Sequence, residues 1–362
     1  MKSSTKVIVS VSTDLSSDQR VLKVCESLMK QEYEVSLLGR HLKTSKVFLK
    51  NYKSQRFKLW FNTGALFYAN LNIRLFLKLM SSKVEVLYAN DLDVLPANYL
   101  AAKLKKKPLI YDSHEYFTEV PELLSKPSVR RFWERIEQRL IPNLKHCITV
   151  TPKIASVYQE KYGVEFKVIR NFPILGETKK ADKLDYIIYQ GALNVGRGIE
   201  ELIAAMPKVN AKLWIAGEGD IEHSLKEKVQ QLNLQERVVF LGRVDPLDLK
   251  EYTRKAKLGV SIEKKLGLSY TYALPNKIFD YLHAATPILY ADLIEVKETL
   301  KEYAVGEELQ SYEPDVLARQ LNLMLESNEY EMWKENCLLA AKEFNWQEEE
   351  KVLLSIFGNL ST

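Results

Sequence analysis

Apolar residues come in short dense runs along this chain, at Val7 to Val11, Glu34 to Leu38, Val84 to Ala89, Leu109 to Tyr111 and Cys147 to Val150. Such brief runs, rich in β-branched and aromatic side chains, read as strands buried on both faces. Between them the apolar spacing lengthens to the helical period, first from Ser17 to Gln31. The repetition of strand, helix and strand predicts a parallel sheet covered on both sides. An extended segment, Val168 to Pro173, leads into the polar stretch Gly176 to Asp185, which reads as a linker. The pattern then restarts, with strands expected at Tyr186 to Gln190, Lys212 to Ala216, Val238 to Leu241, Leu258 to Ile262 and Pro287 to Tyr290. Helices are expected between them at Gly198 to Met206, Ile221 to Leu232, Pro246 to Lys255 and Asn276 to His283. Two doubly wound α/β units place ligands at the carboxyl ends of their strands, in a cleft between the domains.

Length and composition agree, because 362 residues exceed what one hydrophobic core usually serves. Cys25, Cys147 and Cys337 are far apart and outside metal-ligand spacing, so neither a disulfide framework nor a zinc site is expected and a reducing cytosol fits. Val7 to Val11 is too short for a signal peptide's apolar segment, and no run has the length of a membrane span. The expected location is the cytoplasm. Net charge is divided: residues 1–171 carry 29 Lys+Arg against 16 Asp+Glu, and the remainder 23 against 31. The basic residues are scattered without any nucleic-acid-binding signature, which argues against DNA or RNA as partner.

The turn after the first strand reads Ser12-Thr13-Asp14-Leu15-Ser16-Ser17-Asp18 and has no glycine, so it does not form the pyrophosphate turn of a nicotinamide dehydrogenase. Its hydroxyls and carboxylates suit a polyhydroxylated ligand, while Ser17 or Asp18 also suits a helix cap. The first strand of the second unit runs into Gly191-Ala192-Leu193-Asn194-Val195-Gly196-Arg197-Gly198. Glycines and a guanidinium where a helix begins make an anion site, or else a plain turn with an exposed arginine. Asp91-Leu92-Asp93 imitates a metal-binding aspartate pair, but in a two-unit chain it reads as strand-end carboxylates and a cap, with Asp91 placed to touch an acceptor.

Asp18-Gln19-Arg20-Val21, Tyr111-Asp112-Ser113-His114-Glu115, Gln190 to Gly198, Ala216-Gly217-Glu218-Gly219, Phe240-Leu241-Gly242-Arg243-Val244 and Leu274-Pro275-Asn276-Lys277-Ile278-Phe279-Asp280-Tyr281 occur in that order, with Asn345-Trp346 near the end. Over nearly its whole length the chain resembles glycosyltransferase family 4, retaining enzymes of the GT-B fold. The resemblance implies two Rossmann-like domains, 1–171 binding the acceptor and 172–345 binding a nucleotide sugar, and a terminal helix in 346–362 packing back on the first domain. It implies transfer of a sugar from a nucleotide-diphosphate donor to a glycan or lipid-linked acceptor, with no metal and no cofactor beyond the donor itself. His114, Arg197 and Lys277 become the catalytic candidates. Gly191, Asn194, Gly198, Glu218, Arg243, Glu263, Leu274, Asn276 and Asp280 become donor contacts, and Asp14, Asp18, Asp91 and Glu115 acceptor contacts.

The chain departs from the family pattern at two places. Where the family has the first of two glutamates, eight positions before Asp280, stands Tyr272, so either Glu263 reaches in from a longer loop or backbone N–H groups of Ser269 to Leu274 replace it. Where many members have an arginine after the strand's glycine stands Ala192, and Lys277 is expected to supply the cation. These departures motivate a second reading, a catalytically weakened GT-B protein that binds nucleotide sugar or partners another transferase; a third is a nucleotide-sugar epimerase of similar fold. Finally, Lys46 to Leu79 interleaves Lys50, Lys53, Arg56 and Lys58 with Phe48, Tyr52, Phe57, Trp60 and Phe61, and Lys103 to Lys107 adds another basic cluster. The segment reads either as a surface docking on the anionic inner face of a membrane or as a packed helix with a solvated face.

Overall fold

The computed structural model describes residues 4–16, 18–43, 45, 47–177 and 181–361. Ser17, expected as a possible cap, and Lys46, where the basic aromatic segment begins, lie outside the described residues. The chain forms two compact units, Met1–Asn171 with Glu349–Thr362, and Phe172–Glu348.

The first unit holds a parallel sheet of β1 (Lys6–Ser10), β2 (Glu34–Arg40), β3 (Lys53–Phe57), β4 (Val86–Asn90), β5 (Leu109–Ser113), β6 (His146–Thr149) and β7 (Phe166–Val168). Their order is β3-β2-β1-β4-β5-β6-β7. The order reverses between β1 and β4, whose register pairs Val7 with Val86 and Ser10 with Ala89. Ligands of open parallel sheets sit at such a reversal, outside the carboxyl ends of the strands. Val7, Val9, Leu87, Tyr88, Ile110 and Ile148 are fully buried, as expected for strands covered on both faces.

The second unit repeats the plan with β8 (Leu184–Gln190), β9 (Lys212–Ala216), β10 (Val238–Gly242), β11 (Ala256–Ser261), β12 (Ile288–Tyr290) and β13 (Gly306–Glu308). The order β10-β9-β8-β11-β12-β13 puts its reversal between β8 and β11. Ile187, Ile215, Leu258 and Val260 pack with Leu202, Ile203 and Leu321 in one core, while Phe172, Phe279, Phe344 and Cys337 belong to another.

Three strands differ from the sequence reading. β3 lies inside the basic aromatic segment read either as a docking surface or as a packed helix; among the described residues it is an edge strand paired with β2, and its exposed residues Lys53, Ser54 and Gln55 hide the apolar signal. The helix of that segment is Gly64–Ser81. β7 and β13 are three residues each, as β12 is, but where β12 is wholly apolar they carry Lys167 and Glu307 with Glu308 and form no apolar run. The terminal helix Trp346–Gly358 is shared: the Trp346 amide donates to the Pro173 carbonyl at 2.8 Å, while from Glu349 onward the helix belongs to the first unit. There Glu349 accepts from the Arg170 amide at 2.7 Å, and Phe357 packs its ring edge-on against Tyr33.

Candidate active site

In the second unit, the residues expected to meet the donor gather along the carboxyl edge of one sheet. Gly191 follows β8 with φ +137° and Gly217 follows β9 with φ +149°, so the two backbones touch as only glycine allows. A Cβ on Gly217 would fall 1.9 Å from the Gly191 carbonyl oxygen. Gly198 caps the helix Ile199–Ala205 in the left-handed region and lies against the Ile262 carbonyl. That folds the β8 loop back so that Arg197 faces the end of β11.

Arg197 and Lys277 converge there, as expected, but on a carboxylate of the protein itself. Lys277 Nζ lies 2.8 Å from Glu263 Oε1 and Arg197 Nη1 3.9 Å from the same atom. Glu263 is 1% exposed, and Ser261 Oγ donates to its second oxygen at 2.8 Å. Burial opposes ionisation of Glu263, yet Lys277, Arg197 and Ser261 together hold its pKa below the usual glutamate value. Of the two routes open to the missing family carboxylate, the side chain of Glu263 is therefore the one beside the cations. The Tyr272 and Ala273 amides are spent on Leu268 and Tyr270 of the short helix Gly267–Thr271. Aromatic rings set both cations: Lys277 Nζ is 3.9 Å from the centre of Tyr189, and the Arg197 guanidinium 4.5 Å from that of Tyr270.

The remaining donor candidates are spread more widely. Asp280 lies one turn inside the helix Asn276–His283 rather than at its start, and accepts from Gln190 Nε2 at 2.8 Å. Thr253 Oγ1 lies 2.7 Å from Oε1 at the other end of Gln190 and 2.7 Å from the Leu249 carbonyl. Asn194 Oδ1 accepts from the Asp220 amide, Leu274 is half-buried, and Asn276, Glu218 and Arg243 are exposed at the sheet edge.

In the first unit the acceptor candidates divide. Asp18, Asp91 and His114 come together at the β1/β4 reversal, with His114 Nδ1 3.3 Å from Asp18 Oδ2 and 3.5 Å from Asp91 Oδ2. Asp18 also caps the helix Gln19–Lys30 through the Arg20 and Val21 amides, so capping and site placement coincide. Asp91 has φ +66°, a strained backbone for a residue other than glycine, fixed by its amide's bond to the Asp112 carbonyl and by the His114 amide on its side chain. Asp14 is not in this group. It is held by Ser16, Ser45 and Arg56, and although burial opposes its charge these donors bring its pKa down to about 2. Glu115 is exposed. Asp93, buried and beside Asp91, is pushed up to about 7.

A family profile described as Glycosyltransferase Family 4 matches residues 18–172, and one described as glycosyl transferases group 1 matches residues 173–338. The chain belongs to the family 4 glycosyltransferases. An uncharacterised glycosyltransferase of Methanocaldococcus jannaschii is 33% identical over 138 residues, a match covering 36% of this chain and 33% of that protein, so the chain aligns with about a third of that relative's length. Sucrose-phosphate synthase of Thermosynechococcus elongatus superposes with a TM-score of 0.77 at 15% identity, over 98% of this chain and 99% of the other. HepE of Anabaena, in complex with UDP-glucose, superposes with the same score, identity and coverage. The shared fold is GT-B, built from two Rossmann-like domains.

Several residues at the strand ends of the two sheets were not among the expected ones. Arg20 is 2% exposed and grips Asp112 with Nε at 3.0 Å and Nη2 at 2.8 Å, while Tyr88 donates to the same carboxylate at 2.7 Å. Its signal was available, since Arg20 shares a helical stripe with Val24 and Leu28, and a charge on a buried stripe requires a buried counter-charge. Gln190 and Tyr189 carry no such signal, because a strand's last residues read as core.

Proposed function

We propose that this protein is a retaining transferase that moves a sugar from a nucleotide-diphosphate donor to a glycan or lipid-linked acceptor, without a metal ion. The observation that carries the reading is the pairing of Lys277 and Arg197 at the β8/β11 reversal, beside a glycine bend that brings backbone within reach of a ligand. Glycosidic cleavage leaves negative charge on the departing diphosphate, and preorganised cations stabilise that charge more than they stabilise the ground state. The presence of UDP-glucose in HepE, and the name of WaaG as a glycosyltransferase of lipopolysaccharide biosynthesis, support the donor and acceptor classes. The test is transfer from a panel of radiolabelled nucleotide sugars to membrane extract, run in excess chelator. Full turnover with chelator is expected. Loss of turnover restored by manganese would overturn metal independence, and donor binding without transfer would favour the weakened, binding-only reading.

No helix among the described residues is long and apolar enough to cross a membrane. Peripheral attachment to an anionic inner membrane face belongs to the same proposal. Trp60, Leu66, Ile73 and Leu77 are exposed on or next to the helix Gly64–Ser81, and Leu100 and Leu104 on the helix Leu95–Lys105 that packs against it, with Lys58, Lys103, Lys106 and Lys107 alongside. Exposed apolar side chains mixed with lysines suit a negatively charged bilayer surface, at about 1 kcal/mol per basic residue near it. Sedimentation should show binding to vesicles containing anionic lipid, weakened by salt, and little to neutral ones. Equal, negligible binding to both leaves the solvated-face reading.

A further inference from the structure

The ring of His114 is enclosed by oxygens on both sides. Nδ1 faces Asp18 and Asp91, and Nε2 faces Asn90 Oδ1 at 3.2 Å and Asp112 Oδ2 at 3.6 Å. The Asn90 amide cannot turn its nitrogen to the ring, because that nitrogen donates to the Ser10 carbonyl at 3.0 Å. A neutral imidazole would aim a lone pair at one of these oxygen groups, whereas an imidazolium donates to both.

We propose that His114 works as a fixed cation, donating from both nitrogens and neither taking nor releasing a proton during transfer, with Asp112, clamped by Arg20, as the positioning residue that holds it so. The inference rests on the reading above that this sheet edge meets substrate. Burial opposes the charge on His114, but Asp91, Asp18 and Asp112 outweigh it and raise the ring's pKa well above its ordinary 6.5. The charged and titratable groups around it are Asp18 and Arg20 from the first helix and its cap, Tyr88 and Asp91 from β4 and its end, Asp93 beyond that, and Asp112 from β5. The three near carboxylates are not equivalent. The side chains of Asp18 and Asp91 are 23% and 27% exposed and leave an edge that substrate hydroxyls can reach, while Asp112 is 0% exposed and closed to substrate.

The experiment is a pH titration of the full chain labelled with ¹⁵N-histidine, the His114 ring assigned by its disappearance in His114→Gln. In the wild type the ring is expected to remain imidazolium at about pH 8, and kcat/KM to show no histidine limb between about pH 6 and 8. Asp112→Asn should bring the midpoint down at least about tenfold in proton affinity and introduce an alkaline fall in kcat/KM. Because that change leaves Arg20 buried without a counter-charge, the double variant Arg20→Met with Asp112→Asn is measured beside it; it removes both charges and should shift the midpoint in the same direction. A wild-type midpoint near 6.5, or an unchanged midpoint in the folded double variant, would overturn the proposal. So would shifted midpoints with an unaltered pH profile of transfer, because His114 would then be charged without serving the reaction. If the wild type transfers nothing from any donor, the functional reading fails, and the ring titration still decides the charge state.

Discussion

Lys277→Ala is expected to lower turnover by about 100- to 1,000-fold, the loss typical of removing one preorganised donor from a site of developing negative charge. The same change should lower the melting temperature. Lys277 is the near partner of a buried carboxylate, and stranding Glu263 without it costs about 3–5 kcal/mol. Burial of the pair is what joins a loss of stability to the loss of turnover. The two effects separate in a double variant, Lys277→Ala with Glu263→Gln, which leaves no buried carboxylate unpaired, the Arg197 side chain being partly exposed, and should recover most of the melting temperature without recovering turnover. Arg197→Ala offers a second control, since its guanidinium is further from Glu263 and partly exposed, so the rate should fall with little change in melting. Near wild-type turnover in both the double variant and Arg197→Ala would remove these residues from the chemistry. Acid supplies a related check with a defined sign. Glu263 has a lowered folded pKa, so its contribution to stability is present above its ordinary 4.5 and is lost as the pH falls through the lowered value.

Gly217→Ala should be the most disruptive single methyl in the second unit. The added Cβ would meet the Gly191 carbonyl oxygen at 1.9 Å, and neither backbone is free to yield. The Gly191 amide donates to the Ala216 carbonyl at 2.9 Å and the Gly217 amide to the Gly242 carbonyl at 2.8 Å, tying three strand ends together. Strain at φ +149° and the overpacking add, for about 2–6 kcal/mol in all. Urea unfolding, compared with Gly176→Ala in open space, measures it. A loss below about 0.5 kcal/mol, the scale of an ordinary surface change, would mean the strand ends are not held together as described.

How far the residues announced this arrangement depends on where their partners lie in the chain. β1 and β8 were legible because both faces are covered where Val7 to Val9 and Tyr186 to Tyr189 run apolar without a break; β3 was not, because Lys53, Ser54 and Gln55 of an edge strand need no cover. Lys277, Arg197 and Glu263 could each be singled out locally, but nothing local says that the cations meet on Glu263, since that contact depends on how the loop after β11 returns to the sheet. Arg20 and Asp112 are 92 positions apart and meet only through the crossover order that sets β1 beside β4 and β4 beside β5. Capping at Asp18 was visible locally, but that the same side chain also meets His114 was not, because His114 lies 96 positions further on.

The path of the terminal helix bears on how the molecule is made. Translation delivers all seven strands of the first sheet by Val168, but Glu349 and Phe357, which hold Arg170, Tyr33 and Tyr88 from the other side, emerge only after the whole stretch from Phe172 to Glu348. The first unit, begun earlier, therefore cannot be completed first: it waits with the faces of Tyr33 and Tyr88 uncovered for the time needed to add some 180 residues, about 9 to 36 s at ordinary synthesis rates.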